Sequence, residues 1–236
     1  MLKTASVAMA VYNGEKFLRP QIESIVTQLE EDDELVISYD ESNDSSYEII
    51  KEYSESDNRI RIVRNHKPGV VGNFNNAVSS CEKDVVFISD QDDIWLDGKR
   101  SFTMKRLNET NADLIIHNVV HVDENDNIIS RPLFEEYDIK AGLIRNFCRP
   151  RYSGCCMAFP SRTKAIILPF PDSVVNYDHW IGMACEVFGT VEFCERVLLH
   201  HRIHDSNVTT TTRPITVIAE QRLHLLRELV RRKGLL

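Results

Sequence analysis

No stretch of this 236-residue chain approaches the roughly 18 consecutive apolar residues of a membrane-spanning helix, so nothing in it reads as a span. Positive charge is in deficit. Lys and Arg number 28 against 36 Asp and Glu, a net charge of −8, whereas a phosphate backbone attracts basic surfaces. Nucleic acid is therefore not expected as the main partner, although a local basic patch stays allowed. Neither GxxxxGK(S/T) nor GxGxxG occurs. That argues against an ATPase or a dehydrogenase, which hold phosphates in such glycine-rich turns. The six cysteines, Cys81, Cys148, Cys155, Cys156, Cys185 and Cys194, form no CxxC pair and no disulfide-like spacing. The vicinal Cys155-Cys156 lies in an apolar stretch, where thiols act as small hydrophobes, and the cytoplasm is the natural compartment. Internal repeats, low-complexity tracts and linkers are also missing.

What remains is an ordinary globular composition, 42% hydrophobic and 27% charged. A chain of this length buries roughly 70–75% of its unfolded surface and needs no staples. Residues 6–11, 34–39, 59–64 and 84–89 have strand character. The first of these is too brief for a signal peptide, and Tyr12-Asn13-Gly14-Glu15 follows where a cleavage site needs small residues. Between the runs, residues 15–29 place Phe17, Leu18, Ile22, Ile25, Val26 and Leu29 at helical spacing. Residues 45–54, with Tyr47, Ile49 and Ile50 on the apolar side, and 73–80 also read as helices. Strand and helix in alternation predict crossover units on a parallel sheet, whose strands are apolar throughout because both faces are covered. Beyond about residue 110 the pattern changes. A strand at 112–117, a hairpin over 119–130 and a helix at 138–147 are expected. A small-residue strand follows at 152–159, then a helix at 177–188, strands at 190–193 and 197–202, and an amphipathic helix at 215–232. The expectation is one mixed α/β domain over 1–236, with halves of about 1–110 and 111–236.

Ligands of open parallel sheets bind beyond the carboxyl ends of the strands, so the residues there carry the functional information. Three such ends are polar or acidic: Tyr12-Asn13-Gly14-Glu15, residues 40–45, and Asp90-Gln91-Asp92-Asp93. If the chain stays extended at Asp90-Gln91-Asp92, the two carboxylates share one side, roughly 7 Å apart. They repel unless a cation sits beside them, and hard ions such as Mg²⁺ take carboxylate oxygens together with substrate phosphates. The rival is a solvated acidic loop capping a helix near Asp97. Tyr12 either stacks on a base or packs at the sheet edge. Asp40 either meets a base or ribose or closes an Asx turn. Asn73, ending the turn-rich stretch 65–75, reads as a helix N-cap. Asp178 opens a helix as a general base or as its cap. Trp180 faces a sugar or fills the core, and His204 is a ligand or a buried histidine. Strand alternation puts His200, Arg202 and His204 on one face and His201 on the other. The last helix carries Ile215, Ile218, Leu225, Leu226 and Leu229, with Arg222, Arg227, Arg231, Arg232 and Lys233 in its second half. It docks on the domain, its cations suiting the C-terminal dipole, or lies on an anionic membrane.

Together, Ala10-Val11-Tyr12-Asn13-Gly14, the acidic turn at 40–44, Gly69-Val70-Val71-Gly72-Asn73-Phe74-Asn75-Asn76-Ala77 and Phe87-Ile88-Ser89-Asp90-Gln91-Asp92-Asp93-Ile94-Trp95 resemble the family-2 inverting glycosyltransferases of GT-A fold. The Ser89–Trp95 string is most similar to the rhamnosyltransferase-type branch. So are Ser153-Gly154-Cys155-Cys156-Met157, Tyr177-Asp178-His179-Trp180 and His201-Arg202-Ile203-His204-Asp205-Ser206-Asn207. The resemblance covers nearly the whole chain. It implies a mainly parallel central sheet flanked by helices, binding a dTDP- or UDP-sugar donor in the first half. The second half would bind a saccharide or lipid-linked acceptor. Position by position, it implies that Ala10, Tyr12, Asp40, Asn73 and Asp90 contact the donor, and that Asp92 and His204 hold Mg or Mn. Asp178 is then the general base, and Gly154, Cys155 and Trp180 face the acceptor. Tyr39 stands where the family usually has the first of two acids. A role in bacterial surface polysaccharide synthesis is implied, in the cytoplasm and open to peripheral association with the inner face of the cell membrane.

Two other classes stay open. A metal-dependent nucleotidyltransferase also grips phosphates with acids, but needs a basic residue near the first strand end, where Lys16 stands alone. A nucleotide- or carbohydrate-binding module without turnover is the other, with Tyr39 as its supporting feature.

Overall fold

The computed structural model describes residues 1–204 and 214–234. The four leading runs form β1 (Ala5–Val11), β2 (Glu34–Tyr39), β3 (Ile60–Arg64) and β4 (Val85–Ser89). Connecting them are α1 (Leu18–Val26), α2 (Ser46–Ser56) and α3 (Val70–Ser80). A two-residue β5 (Ile94–Trp95) precedes α4 (Lys99–Thr110), β6 (Leu114–Val122), α5 (Leu133–Tyr137) and α6 (Leu143–Cys148). Then come β7 (Met157–Pro160), α7 (Lys164–Ile167), α8 (Tyr177–Phe188), β8 (Val191–Arg202) and α9 (Ile215–Lys233).

All eight strands join one sheet in the order β3-β2-β1-β4-β7-β6-β8-β5. β1 pairs in parallel with β2 on one side and β4 on the other, so the strand order reverses at β1. β7 runs antiparallel to β4 and β6, and β5 antiparallel to β8. The mixed, largely parallel sheet with helices around it is the expected architecture. β1 is buried at every position but Ala10, and β4 throughout, which is why both read as apolar runs. On α1, Leu18, Ile22 and Ile25 turn inward together, each such burial being worth about 1.5–3 kcal/mol.

Several boundaries differ from the sequence reading, each for a local reason. α3 starts at Val70, because Gly69 turns the chain at φ 105°, a conformation that favours glycine. Asn73 is thus inside the helix and not its cap. Tyr47 is 44% exposed, its ring 5.2 Å from that of Tyr39, rather than inward beside Ile49 and Ile50. Of the helix expected over 138–147 only α6 forms, from Leu143, because Asp138 and Gly142 take φ values of 50° and 155° that no α-helix accommodates. Of the strand expected at 152–159, Gly154–Cys156 is a 3-10 turn and β7 begins at Met157. The strands at 190–193 and 197–202 are the single β8, which passes Glu195 and Arg196 as a bulge against β6. β6 likewise runs on to Val122, leaving the expected hairpin as one bridge, Val122–Ile128. Its turn is closed by the Asp123 carboxylate, which accepts the Asn125 and Asn127 N–H groups.

Candidate active site

β1, β2 and β4 end on the same edge of the sheet, and most of the residues singled out in the sequence collect there. Beyond β4, the loop 90–93 is held first by amides. The buried Gln21 of α1 donates from Nε2 to Ser89 Oγ at 2.7 Å and to the Asp90 carbonyl at 3.0 Å. Gln91 grips the Tyr12 peptide unit twice: its Oε1 accepts the Tyr12 N–H, and its Nε2 donates to the Tyr12 carbonyl, both at 2.9 Å. Gly14 makes room for it, since a Cβ there would lie 2.5 Å from Gln91 Oε1. Nothing in the local pattern distinguishes this glutamine from a spacer between two acids.

The acids are not a solvated cap. Asp93 is fully buried, and α4 starts later, behind Gly98 in a left-handed turn. Burial pushes the Asp90 carboxyl well above the usual range, reinforced by the charges of Asp93, Asp92 and Asp178. Asp178 therefore lies near enough to Asp90 to act on its charge. Burial and Asp93 also raise the Asp92 carboxyl, opposed by His204. His204 Nε2 lies 2.9 Å from Asp92 Oδ2. That separation also fits two neighbouring ligands of an octahedral ion, since bonds of about 2.1 Å at right angles put their ends roughly 3 Å apart. A carboxylate oxygen beside an imidazole nitrogen suits Mn²⁺ at least as well as Mg²⁺, which prefers an all-oxygen shell. Asp178 is the second residue of α8, behind Asn176 at the cap position, and its Oδ1 accepts the His179 N–H at 2.6 Å.

Two cations support the loop, and the sequence reading assigned neither this task. Lys99 is fully buried, donates from Nζ to the Cys155 carbonyl at 2.8 Å and lies 4.3 Å from the centre of the Trp95 ring. Burial lowers its pKa to about 8 against the opposing pull of the Cys156 and Cys155 thiols and of Asp93 and Asp90. A lysine opening a helix ordinarily faces water, so no local signal marks it. Arg202 donates from Nε to the Asp92 carbonyl at 3.1 Å and pairs through Nη1 with Asp126 at 2.6 Å.

The remaining residues divide between the strand ends and the scaffold. Tyr12 is 53% exposed where β1 ends, and Ala10 pairs with Ser38. Asp40 forms no Asx turn through its side chain. Its Oδ1 accepts from Asn65 Nδ2 at 2.6 Å and its Oδ2 from the Gly69 N–H at 2.9 Å, tying down the entry to α3. Asn73 donates to the Val11 carbonyl at 3.1 Å, while its buried Oδ1 has no hydrogen-bond partner among the described residues. Tyr39 takes the place of an acid by shaping the turn, its Oη accepting the Ser42 N–H at 3.0 Å. Gly154 packs so closely under Tyr177 that a Cβ would lie 2.0 Å from the phenol oxygen, and Cys155 beside it is buried. Trp180 corrects an expectation: it is fully buried and donates its indole N–H to the Ile167 carbonyl at 2.8 Å. It fills the core and does not face a sugar. Of the last motif, Asp205-Ser206-Asn207 lies outside the described residues.

Residues 6–168 match the family described as Glycosyl transferase family 2. The chain is 31% identical over 206 residues to an uncharacterized glycosyltransferase of Methanocaldococcus jannaschii, MJ1057, covering 84% of this chain and 70% of that protein. It is 23% identical over 209 residues to the Escherichia coli UDP-Glc:alpha-D-GlcNAc-diphosphoundecaprenol beta-1,3-glucosyltransferase WfgD, covering 87% and 79%. Among solved structures, S. aureus TarS 1-349 in complex with UDP superposes with a TM-score of 0.70 at 17% identity, over 85% of this chain and 61% of that one. The last is a likeness of fold. The match over residues 6–168 covers more than half of the sequence and contains β1 through α7, the acidic loop included. The chain belongs to glycosyltransferase family 2.

Proposed function

We propose that the chain is a metal-dependent inverting glycosyltransferase that moves a hexose or deoxyhexose, rhamnose among them, from a UDP- or dTDP-linked donor to a saccharide or lipid-linked acceptor. The observation that carries this reading is the 2.9 Å approach of His204 to Asp92, beside an Asp90 carboxyl on which Asp178 also acts. Bacterial surface polysaccharide synthesis at the cytoplasmic face of the membrane is the setting it suggests. WfgD, named for a UDP-glucose donor and a diphosphoundecaprenol-linked acceptor, and TarS, seen with UDP, support that choice of substrates.

In this reading the half before about residue 110 receives the donor. Tyr12 stacks on the base, Asp40 and Asn73 hold the backbone around it, and Asp90 meets the ribose. Asp92 and His204 would hold Mg²⁺ or Mn²⁺, which when bound offsets the charge of the departing diphosphate. Asp178 takes the proton of the acceptor hydroxyl as that oxygen bonds to the anomeric carbon. The carbon–oxygen bond to the diphosphate breaks on the opposite face, so the configuration inverts. The Gly154–Cys156 turn beside Tyr177 offers the acceptor a wall. Asp178→Ala is expected to keep UDP binding and lose about 10²–10⁴-fold in turnover, the usual worth of a positioned base. Asp92→Ala is expected to weaken donor binding in Mn²⁺. Full transfer by either variant, measured with a competent donor and acceptor, would refute the assigned roles.

A further inference from the structure

Next to Asp92 lies a second cluster, in which Asp93 and His201 have no task in the transfer reaction. Asp93 of the acidic loop, Cys155 of the 3-10 turn and His201 of β8 each bring one donor atom within 4.8 Å of the others. His201 Nδ1 is the hub, 3.3 Å from Asp93 Oδ1 and 3.6 Å from Cys155 Sγ. One ring nitrogen cannot serve both neighbours by hydrogen bonding. Protonated, it donates to the carboxylate and has nothing to accept the thiol proton; unprotonated, it accepts from the thiol and sets its lone pair against the carboxylate. The thiol also reaches the Asp90 side chain and the carboxylate also accepts the Arg202 N–H at 3.2 Å, so at His201 the separations and not an unmet hydrogen bond point to an ion. In a tetrahedral Zn²⁺ site, bonds of about 2.0–2.1 Å to O and N and 2.3 Å to S put the oxygen about 3.3 Å and the sulfur about 3.6 Å from the nitrogen. Those are the two separations found.

A second observation points the same way. Asp93 is fully buried, and its Oδ2 has no hydrogen-bond partner among the described residues. Leaving a carboxylate oxygen so is costly unless a charge meets it. The His201 side chain is 27% exposed, which gives an ion a way in.

We propose that Asp93, Cys155 and His201 bind a second divalent cation, thiophilic and of the Zn²⁺ class, separate from the ion assigned to Asp92 and His204. The sulfur ligand selects for it, since Mg²⁺ and Mn²⁺ favour oxygen. Binding forms a metal–sulfur bond and releases the Cys155 Sγ proton to bulk water, with no change of oxidation state, and water takes the fourth position. The ion links the acidic loop, β8 and the turn at Gly154–Cys156.

The test uses the full chain without a polyhistidine tag, carrying Cys148→Ser to remove the exposed thiol, stripped with chelator and titrated with CoCl₂ and then ZnCl₂. The expected result is a Co²⁺ complex with a sulfur-to-cobalt charge-transfer band and intense tetrahedral visible bands that saturate at one equivalent, displaced by Zn²⁺. Cys155→Ser should abolish the charge-transfer band and weaken Zn²⁺ binding by more than about 100-fold, beyond what loss of an outer-shell contact costs. Asp92→Ala should keep both. Absence of the band with Cys155 present would overturn the proposal, as would unchanged Zn²⁺ affinity in Cys155→Ser or loss of the band in Asp92→Ala. If Cys155→Ser does not fold, His201→Gln is read by the same band, and its persistence overturns the proposal. No sugar donor enters the measurement, so the result is independent of the transfer reaction.

Discussion

At Tyr12 a single peptide unit is held from both sides by the amide of Gln91, in space that Gly14 leaves free. Hydrogen bonds of this kind contribute about 0.5–1.5 kcal/mol each, and 1.4 kcal/mol is a factor of ten in affinity. Gln91→Ala and Gly14→Ala are each expected to weaken UDP binding roughly tenfold by loosening the Tyr12 turn. Titration of UDP in Mn²⁺ checks this, and wild-type affinity in both variants would separate the turn from the donor. His179 makes a different prediction. Burial lowers its pKa to about 4, with Arg222 adding to the effect. Below its ordinary value near 6.5 the unfolded chain takes up a proton that the folded chain refuses until about pH 4. Stability therefore falls as pH drops through that window, by up to about 3 kcal/mol at 1.36 kcal/mol per pH unit, and is level on either side. His179→Asn should flatten the slope of the urea midpoint between those pH values; an unchanged slope would assign it to other groups. Asp92 and His204 stood out in the sequence because each follows a strand, and Asp178 because it opens a helix. Gln91, Lys99 and Arg202 did not, because each is defined by a partner distant in sequence. Trp180 beside Asp178 looked equally like a sugar platform or a core residue, and only packing separates the two.

Among the elements, the 3-10 turn at Gly154–Cys156 shows how the second half departs from a reading by period. Tyr177 presses on Gly154 and stacks on Phe74 at 4.0 Å between ring centres, joining α8 to α3. A methyl group at position 154 has to displace that phenol. Gly154→Ala is thus expected to cost about 1–3 kcal/mol, as overpacking does, and to lower the melting temperature. A variant melting like the wild type would show that the turn yields without moving Tyr177. β1 to β4 could be read directly because burial on both faces writes itself into each strand. The bulge in β8 and the break between α5 and α6 answer to contacts and backbone turns that no window of sequence contains.

Over the whole molecule, α9 takes the first of the two alternatives its sequence allowed and docks on the domain. Leu225 and Leu229 turn inward, and the Arg232 guanidinium donates to the Leu168 and Pro169 carbonyls while lying 5.4 Å from the Trp180 ring. The opposite side exposes Ile215, Leu223, Leu226 and Val230 among Arg227, Arg231 and Lys233. No helix among the described residues is long and apolar enough to cross a membrane. An exposed face of this composition suits an anionic bilayer surface. The chain is expected to sediment with phosphatidylglycerol vesicles at low salt and to leave them at high salt. Leu226→Glu with Val230→Glu should abolish the association, and equal binding to neutral vesicles would refute it. The pairing of β5 with β8 reaches further still. Ile94 opposite His200 and Trp95 opposite Leu199 are few contacts, yet a slip of one residue shifts a strand by about 3.3 Å and turns its side chains over. Those two rungs act as a gauge block between the acidic loop and His204. The turn at 123–127 or the face of α9 can be rebuilt for another cargo, while a single-residue deletion between Trp95 and Asp92, or between His200 and His204, would take carboxylate and imidazole out of each other's reach.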